Sequence, residues 1–337
     1  MKIFILLAIL MGGFCVEAAE VPLPKLPDGP IEMRVAHIVN PRLPRLSRAR
    51  LYVLLASMAR TTREHFGVDL RFEQPIVEIP IERAFAAIPP ERVRAAREAI
   101  YDFKSGRGDR ARLEREFGKG IRESGERLAG MLAYARPHTG PLKEQSFESL
   151  GRALARLELE RIQGWKAVRA LDGGPAIDAT PYNEFPMWLQ LGHTALPFEI
   201  LITNQVIASV EYTYPAVHAA IRGGYSNGIT IYSKASRFGT ASVWSTFGFT
   251  TADPWVTKMR EGEAYEGHEA AVLAGIAAAH EIGHQLFHFS HPFGAQACLM
   301  NPVEMFAYRA WASKLSAQDC PIGSRPEIKP GAYKFVY

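Results

Sequence analysis

Apolar and polar residues alternate along 31–39 (IEMRVAHIV), the two-residue period of a half-buried strand. After the turn sequence PRLPRLSR the period lengthens. Leu51, Leu54, Leu55 and Met58 recur at helical spacing and predict a helix over 48–66, which Gly67 ends. VDLRFE (68–73) returns to strand, and the order strand, helix, strand predicts two parallel strands joined by a crossover helix. From 81 to 172 the pattern is helical almost throughout, in segments near 90–104, 109–135 and 144–171, punctuated by Gly106, Gly108, Pro137 and Gly140. Residues 173–197 are rich in glycine and proline and read as a connection. Strand patterns then recur at 198–208, 227–233 and 242–249, with Gly223, Gly224, Asn227 and Gly228 marking the turn before the middle one. A final helix is predicted over 303–315, before a proline-containing tail.

The run with the strongest helical composition leads into a cluster of histidines. Residues 267–279 (GHEAAVLAGIAAA) are Ala-rich and free of proline. Ala277, Ala278, Ala279 and Gly283 suit a helix packed closely against its surroundings, and there is hardly a charged face. Residues 280–291 read HEIGHQLFHFSH and hold four of the chain's ten histidines. On a helix, His280 and His284 stack one turn apart on one face, so both can aim a ring nitrogen at one tetrahedral zinc. Glu281 is offset around the helix and reaches a zinc-bound water rather than the metal. The plainer alternative is a buried helix whose histidines are satisfied by hydrogen bonds. If the helix continued, His288 would lie about 12 Å along the axis from His280, at ~1.5 Å per residue. That is too far to share a metal whose bonds to nitrogen are about 2.0–2.1 Å. A third histidine must come from chain that has turned back. His291, just before Pro292, is placed to do so, and His288 is expected to be buried or to support a ligand.

HEIGHQLFHFSHP followed by CLMNP (298–302) resembles the metzincin clan of zinc peptidases, whose pattern is HExxHxxGxxH followed by a Met-turn with its methionine beneath the metal. The resemblance implies that Met300 is that methionine and that the strand–helix–strand opening belongs to a zincin-like catalytic domain. It also implies an edge strand beside the active-site helix that holds substrate peptide by strand addition, with GITIYS or its neighbour as the candidate. The sequence departs from the pattern in two places: Phe287 stands where the family has its turn glycine, and Ser290 where it has its third histidine. His291 lies one position later, so an altered turn is required. A second resemblance, to the thermolysin-like gluzincins, uses the same helix with a glutamate as third ligand after nineteen intervening residues. Glu304 has that spacing, without the NExxSD surroundings of that family.

The chain has 337 residues, 47% of them hydrophobic and 22% charged, as in ordinary globular proteins. Its start, MKIFILLAILMGGFCVEAAE, has a Lys2 n-region, an apolar run and small residues before Glu20, the pattern of a secretory signal peptide spanning 1–19. The apolar run is too short for a membrane span, and no later stretch approaches that length. Cleavage would leave Cys298 and Cys320, either joined in an oxidising compartment, which would hold the loop behind the Met-turn candidate, or present as two free buried thiols. The net charge is +4, and residues 81–172 hold 15 Arg and 4 Lys against 14 acidic residues, 19 − 14 = +5. That excess fits solvated Arg/Glu helix faces, or a lid or docking surface for acidic partners. No nucleic-acid motif accompanies it.

The expected architecture is α+β: a zincin-like catalytic domain, with a mixed twisted sheet, a backing helix and an active-site helix. It spans 31–80 and 173–337, follows a Pro-rich lead-in at 20–30, and carries a helical insertion at 81–172. The expected function is an exported zinc-dependent peptidase, periplasmic or secreted, acting on peptides or proteins. One catalytic Zn²⁺ would be held by His280, His284 and His291, with Glu281 as general base. Neither a nucleic-acid partner nor stable membrane insertion after cleavage is expected. Tyr308 is a candidate donor to the oxyanion. The alternatives are an inactive zinc-binding interaction protein, a gluzincin-type enzyme using Glu304, and an enzyme kept latent by the helical block.

Overall fold

The computed structural model describes residues 21–177, 181–212 and 216–320, so the predicted signal peptide lies outside the described residues. The first predicted strand forms in two pieces, β1 (Ile31–Met33) and β2 (Val35–Val39). The break falls at Arg34, whose N–H leaves the ladder and donates to the Glu199 carboxylate at 2.7 Å. Helix α1 (Arg48–Phe66) has the predicted bounds. The Arg50 N–H bonds to the Ser47 hydroxyl at its start, and Gly67 ends it at φ 71°. β3 (Leu70–Phe72) pairs parallel with β1, and β4 (Val77–Pro80) pairs parallel with β2, completing the crossover.

Residues 81–172 form α2 (Ile81–Ala86), α3 (Pro90–Glu98), a short strand β5 (Ile100–Tyr101), α4 (Arg110–Glu123), α5 (Leu128–Thr139) and α6 (Phe147–Trp165). The single segment predicted over 109–135 is two helices, because Gly125 takes φ 73° between them. Pro137, read as a breaker, instead lies within the last turn of α5. Leu113, Phe117 and Leu154 of this block join the same core as Leu54 of α1.

The predicted connection at 173–197 contains α7 (Phe185–Leu189), and it leads to β6 (Ile200–Thr203). β7 (Val210–Glu211) pairs antiparallel with β5, and α8 (Val217–Ile221) follows. Then come β8 (Gly228–Tyr232), β9 (Thr240–Ser245), α9 (Phe247–Thr250), α10 (Pro254–Met259), the 21-residue α11 (Gly267–Phe287) and α12 (Tyr308–Ala312). No helix among the described residues is long and apolar enough to cross a membrane.

The main sheet runs β4-β2-β6-β9-β8, with all pairs parallel except β8 against β9, and β8 at the edge. The fold is therefore α+β with a mixed sheet. Both faces are covered, which explains the continuous apolar run of β6. Ile200 and Ile202 join the core formed with α1 and α11, while Leu201 turns to the opposite face with Trp188 of α7. α11 and α1 approach closely at Gly275, where a Cβ would lie 2.2 Å from the Leu54 carbonyl oxygen.

A polar anchor at Gln285 fixes α11 on the sheet. Gln285 Nε2 donates to the carbonyls of Glu199 (3.0 Å) and Thr240 (3.2 Å), and its Oε1 accepts from the Ser242 hydroxyl (2.8 Å). The Glu199 carboxylate in turn holds the Arg34 guanidinium and accepts from the Arg34 and Arg237 N–H groups. Burial pushes the Glu199 carboxyl up, but these donors outweigh it and hold its pKa below the usual range. A depressed folded pKa stabilises above the unfolded value, about 4.3, and that contribution is lost as pH falls through the folded value. Glu199→Gln is expected to cost about 2–3 kcal/mol at pH 7. The gap from wild type should shrink below pH ~4. Denaturant titrations at pH 7 and pH 3 check this, and an equal gap at both would contradict it.

The predicted final helix over 303–315 is much shorter. Residues 303–307 spend their backbone groups on tertiary partners instead. The carbonyls of Val303 and Glu304 accept from Arg222, and the Phe306 N–H donates to the Met259 carbonyl at 2.8 Å.

Candidate metal centre

Because α11 continues through the motif, His280 and His284 stack on one face, as their spacing predicts. The chain then reverses, at a different residue from the family pattern. α11 runs on through Phe287, and His288 takes the left-handed conformation (φ 53°, ψ 34°) that the pattern gives to glycine. Histidine is among the residues that accept this region more readily. The shift of the turn by one position is why His291, and not residue 290, returns to the helix. The His288 ring itself is buried.

The three Nε2 atoms of His280, His284 and His291 converge, at 2.9 Å (280–284), 3.2 Å (280–291) and 3.0 Å (284–291). Each ring is aimed through its other nitrogen. Nδ1 of His280 donates to the Leu299 carbonyl (2.9 Å), Nδ1 of His284 to the Phe289 carbonyl (2.6 Å), and Nδ1 of His291 to Glu126 Oε1 (3.0 Å). All three partners are acceptors, so each Nδ1 carries the hydrogen and each Nε2 presents a lone pair. Burial and the neighbouring rings disfavour protonation, lowering His280 to about 3 and His284 well below its ordinary value. Three converging Nε2 atoms are a donor set for a cation. Tetrahedral bonds of about 2.0–2.1 Å place ligand nitrogens roughly 3.3–3.4 Å apart, close to the separations here. The buried group His280, His284 and His291 can therefore hold a metal ion. Glu304 is not part of it; its carboxylate lies 3.3 Å from His138 Nε2.

The chain matches no family model, no curated protein and no solved structure.

The loop of residues 298–302 lies under the site. Leu299 supplies the carbonyl that holds His280, and Met300 is buried against Gly283, where a Cβ would stand 2.3 Å from its sulfur. Cys298, which begins the loop, is joined to Cys320 by a disulfide, the pairing expected from the sequence.

The Glu281 carboxylate meets β8. Thr230 of that strand donates to Glu281 Oε2 at 2.9 Å, and Gly228 leaves the space the carboxylate fills; a Cβ there would stand 2.2 Å from Oε1. Burial raises the Glu281 pKa to about 7, against the opposing pull of the Thr230 hydrogen bond. Glu281 and His280 share a cavity of about 30 Å³ with Tyr308 and Asn227. The Tyr308 hydroxyl donates to Asn227 Oδ1.

Sequence reasoning missed the residues that support the site from a distance. Glu126 lies 165 positions from His291. Its only local signal is Gly125, which breaks a predicted helix at the point where the carboxylate is needed. Thr230 and Gln285 carried no signal beyond their polarity within apolar runs.

Proposed function

We propose that the protein is an exported zinc-dependent peptidase with a metzincin-like catalytic site. The observation that carries the reading is the convergence of three histidine Nε2 atoms beside a carboxylate that shares a cavity with His280. His280, His284 and His291 would hold one Zn²⁺. When bound, zinc supplies Lewis acidity, polarising a carbonyl oxygen and making water a nucleophile near neutral pH. Glu281 acts as general base and then general acid. With Oε2 engaged by Thr230, Oε1 takes the proton from the attacking water and returns it to the leaving amine. A pKa near 7 suits a group that must both accept and release a proton at neutral pH.

Two further features support the reading. β8, the GITIYS candidate, is an antiparallel edge strand against α11, where strand addition would lay a peptide beside Glu281. Met300 lies beneath the helix that carries the ligands, as a Met-turn requires. The apolar amino-terminal stretch supports export, and so does the paired state of the cysteines.

The test is the metal content of the purified mature chain after dialysis. About one zinc per chain is expected, with a rise in Tm on adding zinc to chelator-treated protein. No zinc after reconstitution would overturn the proposal.

A further inference from the structure

Helix α8 and the residue that caps its end bring two side chains to the cavity beside Glu281 that the mechanism above does not use, His218 and Arg222. Both line the same cavity. Arg222 is 3% exposed. Its Nε donates to the Glu304 carbonyl at 3.3 Å and its Nη2 to the Val303 carbonyl, while the guanidinium lies 5.5 Å from the centre of the Phe306 ring. These contacts orient the group and leave its charge uncompensated, for no carboxylate among the described residues makes an ion pair with it. A buried charge is costly unless a counter-charge meets it. His218 Nδ1 is likewise buried without a hydrogen-bond partner among the described residues. The His218 ring packs 5.1 Å from that of His291, which places it beside the metal centre.

The rest of the lining narrows what fits. Glu281 is its one acidic group, and Thr230 holds that carboxylate on the β8 side. Trp244, Trp311 and Val303 give the wall an apolar part, beside the uncharged polar groups of Ser226, Asn227 and Tyr308. A cavity of about 30 Å³ has room for roughly two waters, the size of the two oxygens of a carboxylate.

We propose that this cavity is a carboxylate-recognition pocket, in which Arg222 and His218 select substrates that carry a carboxylate close to the bond being cleaved. The inference rests on the peptidase reading above and adds the substrate class. The carboxylate comes either from an acidic side chain or from the end of a peptide.

The experiment titrates the zinc-loaded mature chain with matched metal-chelating probes. These are the monohydroxamates of succinic and glutaric acid against butyrohydroxamate and valerohydroxamate, read by the fluorescence of Trp244 and Trp311. The acidic member of at least one pair should bind ten-fold or more tightly than its uncharged partner. Arg222→Met should bring the pair to parity, and Arg222→Lys should keep part of the preference. Arg222 also clamps two carbonyls, so the wild-type comparison stands by itself if the variants do not fold. Equal binding within both pairs overturns the pocket and leaves the metal centre intact. Failure of all four probes, together with failure to retain zinc, overturns the peptidase reading and the pocket with it. Digestion of a peptide library then separates the two sources. Internal cuts beside Asp or Glu identify the acidic side chain, shortening from the C-terminal end identifies the chain terminus, and cuts following neither pattern overturn the proposal.

Discussion

Glu281→Gln is expected to leave zinc bound at about one per chain and to lower peptide turnover by roughly 10²–10⁴-fold, the range of a lost general base. Glutamine keeps the shape of the side chain at a position 6% exposed, pressed against Gly228, so the fold has no reason to change. Its carbonyl oxygen can still accept from Thr230. What disappears is the ability to take a proton. Glu281 is not one of the three grouped ligands, which is why metal content and activity should separate. Elemental analysis and turnover on the same preparation check both halves. Wild-type turnover would remove the general-base role, and loss of zinc would mean that Glu281 is needed to form the centre.

The second large effect concerns the third ligand. Zinc binding of roughly 10–16 kcal/mol, shared among three or four ligands, is about 3–5 kcal/mol for each. His291→Ala is therefore expected to weaken zinc by hundreds- to thousands-fold. Glu126→Gln should fall between, at roughly 10–100-fold, because it removes the charge that aims and polarises the His291 ring without removing the ring. Glu304→Ala should change affinity by no more than a few-fold, since its carboxylate faces His138. Competition with a chelator of known affinity ranks all three. If Glu304→Ala matched His291→Ala, the glutamate would be the ligand.

The parts of the fold legible in the sequence are those set by local spacing. The four-residue interval between His280 and His284, the helical period of 48–66 and its stop at Gly67 all survive, because a helix enforces them whatever surrounds it. His291 was legible through a distance argument: a continuing helix carries His288 out of reach, so the ligand had to follow a turn. The location of that turn was not legible. It depends on which residue tolerates a positive φ, and the structure puts His288 there instead of residue 287. The helix predicted over 303–315 failed because its backbone groups bond to Arg222 and Met259, far away in sequence. Glu126 escaped for the same reason, as did His218 of α8 and Arg222 at its end. Each is defined by what it faces, and no window of neighbouring residues contains that information.

The tie between Glu126 and His291 bears on when the candidate metal centre is complete. Closing a loop of that length is slow and comes late, after local helices have formed. Through most of folding, α11 presents two stacked rings, while the third swings on an untethered segment. Such a chain lacks the complete set of three converging ring nitrogens. On the proposed reading, proteolytic competence would arrive late in maturation, once the 110–139 helices have docked, and a half-made molecule would be poorly equipped to cut its neighbours.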